Sequence, residues 1–282
     1  MSTAKEVFSA IVNDFAEEIK KGKNPFAKLS TPANGVTGRA YGGFNRLALA
    51  AAAKRRGFNT SKYATFKQVS EAGGKVIKGA KSVPVFMFSF SYKAEIDGKT
   101  VTLSANSDTE AQKLAQEKGG RIVDKFPFLK FFLVFNLQET EGLEYKADIK
   151  PPLQNAVDLL LVTNTEIVHE EGGLPRYDKG RDVLIMPMAT TAEEMLLPAI
   201  ATTAKTLGRE LEWAEESLVC LIGASMLAEA CGIEQELPAD MAEIWLEKLD
   251  KNPHFMWKAA SEAEKAVELL LQRVAAVRAV AA

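Results

Sequence analysis

The 282-residue chain has only two cysteines and two histidines. Cys220 and Cys231 fall in one helical-looking segment. A separation of eleven residues there sets them about 16 Å apart, too far for a disulfide. His169 and His254 are 85 positions apart, so no HExxH zinc helix can be written. Two cysteines eleven apart give neither a zinc finger nor a CxxC redox pair. Neither histidine sits in a nucleophile-elbow context, and no GxxxxGK[ST] phosphate loop occurs. Long apolar runs are also missing. Charges interrupt every stretch before the roughly 18 residues of a membrane span. The first residues, MSTAKEVFSAIVNDFAEEIKKGK, lack the apolar region of a signal peptide. The chain is therefore expected to remain in the cytoplasm.

One scarcity is local. From Lys20 to Lys81 a single acid, Glu71, stands against 14 Lys and Arg, a balance of +13 over 62 residues. The overall charge of -2 hides this. Cut at Asp148, just before Lys150-Pro151-Pro152, the chain has 23 basic and 15 acidic residues on one side, 12 and 22 on the other. The asymmetry predicts a basic domain, 1–148, and an acidic one, 149–282. Solvated faces usually mix signs, so the unmixed window points to an anionic polymer.

What is present is a core-forming composition, 47% hydrophobic and 26% charged. Residues 3–22 carry Val7, Phe8, Ile11, Val12, Phe15 and Ile19 at helical spacing. Residues 30–43 are turn chemistry, rich in Gly and Pro. Asn45 stands as an N-cap for a helix over 46–56, and Thr65 for one ending at Ala72. Strands are expected over 75–81 and 83–92, with an Asp97-Gly98 hairpin turn, and over 126–137. Beyond Pro152 the pattern is mostly helical, at 152–164, 190–207, 212–231, 238–249 and 254–278, with a hairpin across 165–188. The fold class expected is an α+β N-terminal domain followed by a mostly α-helical domain with a small β hairpin. All three tryptophans, Trp213, Trp245 and Trp257, lie in the second half.

The acid pairs Glu170-Glu171, Glu193-Glu194 and Glu215-Glu216 invite a metal-dependent reading. Adjacent acids on a helix point about 100° apart, which favours solvated faces instead. The basic window is more informative because Phe26, Tyr41, Phe44, Phe58, Tyr63 and Phe66 interleave its charges. Cations that follow phosphates beside rings that stack on bases are the equipment of single-strand binding without sequence preference. Phe44, Phe58 and Phe66 flank helices at apolar positions and are read as core. Tyr41 and Tyr63 are the stacking candidates.

Four blocks carry a resemblance. They are the run from Asn34 to Asn45 (NGVTGRAYGGFN), Tyr63 to Gln68 (YATFKQ), Gly73 to Lys81 (GGKVIKGAK) and Phe128 to Asn136 (FLKFFLVFN) followed by Glu141-Gly-Leu143. In this order they resemble the N-terminal single-stranded-DNA-binding domain of the ArdC antirestriction family. The resemblance implies a phage or plasmid protein, working in the host-cell cytoplasm, that binds single-stranded DNA and shields it from host restriction. The DNA-binding residues expected are Arg39, Tyr41, Asn45, Arg46, Arg55, Tyr63, Lys67, Lys75, Lys78 and Lys81. Gly42 stands where the family usually has a basic residue. The second half is similar to the family's zincin-like metallopeptidase domain through Tyr177, Asp182 to Pro187, Trp245 to Leu249 and Lys258 to Ala266. There the family's HExxH aligns with Pro198-Ala199-Ile200-Ala201-Thr202, and its third ligand with Leu221. The resemblance thus implies an inactive peptidase half, no cofactor and no metal, with Pro198 starting or kinking its helix. Two alternatives stand beside this: an acidic half that binds a host defence or replication enzyme, or the basic half of another copy, with DNA secondary, and an enzyme with a carboxylate-held metal.

Overall fold

The computed structural model describes residues 3–27, 30–105, 107–145, 154–238 and 241–281. The boundary expected at Asp148 and Lys150-Pro151-Pro152 lies outside them. Helix α1 (Ala4–Lys20) opens on a capping box in which the Thr3 hydroxyl accepts from the Glu6 amide and the Glu6 carboxylate from that of Thr3. Its buried stripe is Phe8, Val12, Phe15 and Ile19.

Five strands make the main sheet: β1 (Ala33–Asn34), β2 (Lys62–Thr65), β4 (Val83–Ile96), β5 (Lys99–Ala105) and β6 (Arg121–Asn136), in the order β1-β2-β6-β4-β5. β4 and β6 form a long antiparallel ribbon from Val83 opposite Val134 to Glu95 opposite Arg121. β5, reached through the Asp97-Gly98 turn, covers the outer edge of β4 only from Phe90 onward. Before that point the edge belongs to α2 (Gly43–Arg56). Asn45 donates to the Phe86 carbonyl (2.8 Å) and accepts from the Phe86 amide (2.7 Å). Asn45 is therefore no N-cap. Gly42 holds that position, and Asn45 satisfies a strand edge whose polar groups would otherwise be unpaired.

The remaining elements of this half are small. Helix α3 (Phe66–Glu71) sits beside a two-stranded pair, β3 (Lys75–Val76) with β7 (Thr140–Glu141). Helix α4 (Asp108–Glu117), capped by Ser107, packs Ala111 and Ala115 on Tyr92, Ala94 and Leu103. The expected strand over 75–81 is only two residues long, because a turn takes over at Ile77.

The second half contains α5 (Ala156–Leu161), α6 (Leu196–Thr206), α7 (Trp213–Cys231), α8 (Ala242–Lys251) and α9 (Phe255–Ala281). α7 is apolar all round and buried from Leu218 to Ala228, the signature of a central helix. Where a hairpin was expected there is a three-stranded sheet. β9 (Arg176–Asp178) and β10 (Val183–Pro187) form the hairpin, and β8 (Glu166–Glu170) lies parallel to β10 on its other side. Among the described residues no helix is long and apolar enough to cross a membrane.

The change of charge along the chain is not a break in packing. The Phe8 ring lies 4.4 Å from Phe44, 5.1 Å from His254 and 6.1 Å from Trp257. One apolar core holds Phe8, Phe44 and Phe86 together with Leu218, Trp245 and Met256.

Candidate nucleic-acid interface

The turn-rich run before α2 is ordered by a buried asparagine. The side-chain oxygen of Asn34 accepts from the amides of Val36 (3.0 Å) and Thr37 (2.9 Å). Its amide nitrogen donates to the Tyr41 hydroxyl (3.3 Å) and to Gln68 (3.0 Å). Gly35 is required beside it, since a Cβ there would lie 2.3 Å from Leu137 Cδ1. Gln68 also completes a capping box with Thr65, so one side chain ties the loop to α3. Beneath them Ala64, Val69 and Leu137 form a small core with Val76 and Leu143. The Ile77 amide bonds the Glu139 carbonyl (3.0 Å), which seats the following turn on the same module.

This module carries exposed cations. Arg39 projects from the loop, Lys67 from α3, Lys75 from β3, and Lys78 and Lys81 from the turn beyond. Lys67 is 83% exposed and only loosely paired with Glu71 at 3.6 Å. Phe66, expected in the core, is 63% exposed beside it, because α3 buries only Val69.

The other expected residues are placed differently. Tyr63 is fully buried, with its hydroxyl donating to the Leu49 carbonyl (2.9 Å), so it cannot stack on a base. Tyr41 is half-buried, and that burial pushes its phenol pKa up. Asn45 is committed to Phe86. Arg55 is exposed but reaches Asp14 of α1 at 3.3 Å. Arg46 is turned toward the second half, among the carboxylates of Glu264, Glu229 and Glu268; burial lowers its pKa while these charges raise it. Glu264 accepts from the Gly43 amide (2.7 Å), which fills the N-terminus of α2 with a carboxylate from the chain itself. Arg46 therefore joins the halves and is not a phosphate contact. Outside the basic window Lys93, Lys125 and Lys130 lie 5.4, 4.0 and 4.7 Å from the ring centroids of Phe126, Phe90 and Phe128, a placement whose only trace in the sequence is a strand mixing lysine with phenylalanine.

In the second half the residues that the resemblance sets against the family's metal site are packed away. Pro198 falls in the first turn of α6, where its missing amide is tolerated, and is buried. Thr202 is buried with its hydroxyl donating to the Ala199 carbonyl (2.8 Å), and Leu221 is fully buried in α7. Ile200 packs on Gly223, where a Cβ would lie 2.9 Å from its side chain. Arg209, buried, grips Glu216 with two bonds (2.6 and 2.8 Å) and reaches Thr203 and the Ile200 carbonyl, joining the two helices. The other acid pairs have local tasks. Glu170 pairs with Arg176 at 2.8 Å, Glu194 caps Thr191, and Glu193 accepts from the Glu236 amide. Among the described residues no three His, Cys, Asp or Glu converge as a metal site requires.

The fold defines a two-part α/β protein in which a sheet carrying an exposed basic module shares its core with a helical half. Residues 1–135 match the family described as the N-terminal domain of anti-restriction factor ArdC. The fold is similar to crystal structures of antirestriction ArdC protein from R388 plasmid, one Mn(II)-bound (TM-score 0.72) and one metal-free (0.73). Each is 23% identical and is matched over 95% of this chain and 98% or 97% of theirs. Two DNA primases TraC of Escherichia coli are 25% identical across 96% of this chain. The chain spans only 28% and 20% of their lengths. Its first 135 residues thus match the ArdC N-terminal domain family, and the fold of the whole chain is similar to that of the ArdC structures.

Proposed function

We propose that this chain is a non-enzymatic, sequence-tolerant single-stranded-DNA-binding protein of a phage or plasmid, and that it protects DNA from host defence. The exposed module of Arg39, Lys67, Lys75, Lys78 and Lys81 carries the reading: these cations face solvent where a phosphate backbone can reach them, and the ArdC match gives that surface an antirestriction context. Counterion release on such a surface makes affinity depend on salt, and nearby rings favour unpaired bases.

One ArdC structure is Mn(II)-bound. The donors here do not fit a metal. The aligned Pro198, Thr202 and Leu221 offer a single hydroxyl, already bonded to a backbone carbonyl and sealed from solvent. This supports a zincin-like half that is chemically inactive and serves as packing. The test is competition between single- and double-stranded oligonucleotides of one sequence, with elemental analysis of the purified protein. Single strands should win without sequence preference and no stoichiometric metal should appear. A restricting host that expresses the chain should accept more unmodified plasmid. Duplex preference, or stoichiometric metal with peptide cleavage, would overturn the reading.

A further inference from the structure

The β4–β6 ribbon has two faces, and antiparallel partners share one. Phe86, Phe88, Phe90 and Tyr92 lie opposite Phe131, Leu129, Pro127 and Lys125, and this face is packed at both ends, with Phe88 and Phe90 between them partly exposed and Lys125 Nζ 4.0 Å from the Phe90 ring centroid. Phe86 enters the shared core, Phe88 meets Trp257 edge-on at 5.6 Å, and Tyr92 packs beneath α4. The other face pairs Val85 with Phe132, Met87 with Lys130 and Ser91 with Phe126. Only its first part is covered, where Val83 and Val85 join Leu49 and Ala52 of α2. Met87, Phe126, Phe128 and Phe132 belong to none of the apolar cores of the described residues. Phe132 is 46% exposed and Met87 42%.

An open apolar sheet face is a liability unless something uses it. This one is armed with charge. Lys130 Nζ lies 4.7 Å from the Phe128 ring centroid, and Lys93 Nζ 5.4 Å from that of Phe126. Positions 126, 128, 130 and 132 read ring, ring, cation, ring. Alternate residues of a strand recur about every 6.8 Å, roughly two steps of the ~3.4 Å spacing along one nucleic-acid strand. Rings at that interval can stack on alternate bases while the ammonium between them meets phosphate. A duplex keeps its bases turned inward and has no use for the rings, and a purely apolar partner has no use for the lysines. The acids of the ribbon, Asp124 with Lys93 at 3.3 Å and Glu95 with Arg121 at 3.1 Å, gather at its hairpin end and bound the stripe.

The geometry points to the face of Phe126, Phe128, Lys130 and Phe132 as the platform on which the bases of single-stranded DNA stack. This rests on the proposed single-strand binding and adds where the bases go. The full-length chain and its Phe128→Ala, Phe132→Ala and Lys130→Ala variants are titrated with a single-stranded oligonucleotide at several salt concentrations. Each lost ring should weaken binding about tenfold with the salt slope unchanged, whereas Lys130→Ala should lower that slope by about 0.7. Phe128→Leu and Phe132→Leu keep the face apolar, so a similar loss in them separates stacking from folding. Photocrosslinking of an iododeoxyuridine oligonucleotide to the wild type should mark the 126–132 segment. Trp257 lies at the opposite face, and its emission should change little. If the wild type binds single strands but the ring variants bind as tightly, or the crosslinks or Trp quenching map to the Phe88 face, the platform is wrong while the proposed function stands. If the wild type binds no single strands, both fall.

Discussion

The two halves carry opposite charge and dispose of it in opposite ways. In the acidic half several charges are committed to one another: Arg209 is buried against Glu216, Asp182 meets Lys205, and Glu170 meets Arg176 and Arg181. In the basic half a set of cations faces water from one small module, while Arg46, on the α2 side, is spent on the acids across the junction. Counting charge says how much there is, and only folding says how much remains for a ligand.

Separating the halves tests the comparison most severely. Residues 1–145 alone would expose Phe8, Phe44 and the α2 face that packs on α9, so the fragment should lose cooperative thermal unfolding and aggregate on gel filtration. A monomeric fragment with a sharp transition would show that the two sides are independent after all. Within the full chain, Phe44→Ala should cost about 3–5 kcal/mol in urea unfolding.

Arg209→Ala comes next. It leaves Glu216 partly buried without its partner and should cost about 3–5 kcal/mol, while single-strand affinity stays unchanged; an effect of a few tenths would mean the pair is solvated. In contrast, Ala at Arg39, Lys67, Lys75 and Lys78 together should leave stability nearly unaltered and flatten the salt slope of binding by about 3, at about 0.7 per phosphate. Arg46→Met should do the reverse, lowering stability with the slope intact. Equal slope changes from both variants would erase the distinction between spent and available charge.

The smallest effect concerns acid. Asp108 is held below the usual carboxylate range by bonds from Lys125 (2.6 Å) and the Tyr92 hydroxyl (2.7 Å), and Tyr92 is pushed up to about 12 mainly by that bond. Because the folded pKa of Asp108 is lowered, its contribution is present at neutral pH and lost as pH falls through that lowered value. Glu264, raised mainly by burial, runs the other way: its contribution is full below the ordinary carboxylate range and lost as pH rises past the raised value. Asp108→Asn should therefore narrow its stability gap from wild type in acid, and Glu264→Gln should be relatively more stable at neutral pH than in acid. Parallel pH profiles for both variants would contradict these assignments.

What the sequence made legible was local. The α1 stripe, the Thr65 cap and the Asp97-Gly98 turn each depend on residues within a few positions. Asn45 looked like a cap because its partner Phe86 lies 41 residues away, and the missing length of β5 that it replaces leaves no local mark. Tyr63 and Arg46 looked like ligand contacts because a loop-like context and a positive charge say nothing about burial against a carbonyl or a second-half carboxylate. Parallel pairing of β8 with β10 was equally invisible, since only the adjacent β9–β10 hairpin has a sequence signature. The open ribbon face escaped because an aromatic strand reads as buried whether or not anything covers it.

The central claim is that the exposed basic module gives this chain salt-sensitive affinity for single-stranded DNA. Its most direct test is the wild-type binding constant for one single-stranded oligonucleotide over a range of monovalent salt. The account predicts a straight line in log K against log salt with a slope of about -0.7 for each phosphate contacted, and hence about -3 or steeper if Arg39, Lys67, Lys75 and Lys78 each meet one. A slope near zero, or no measurable binding at low salt, would contradict it.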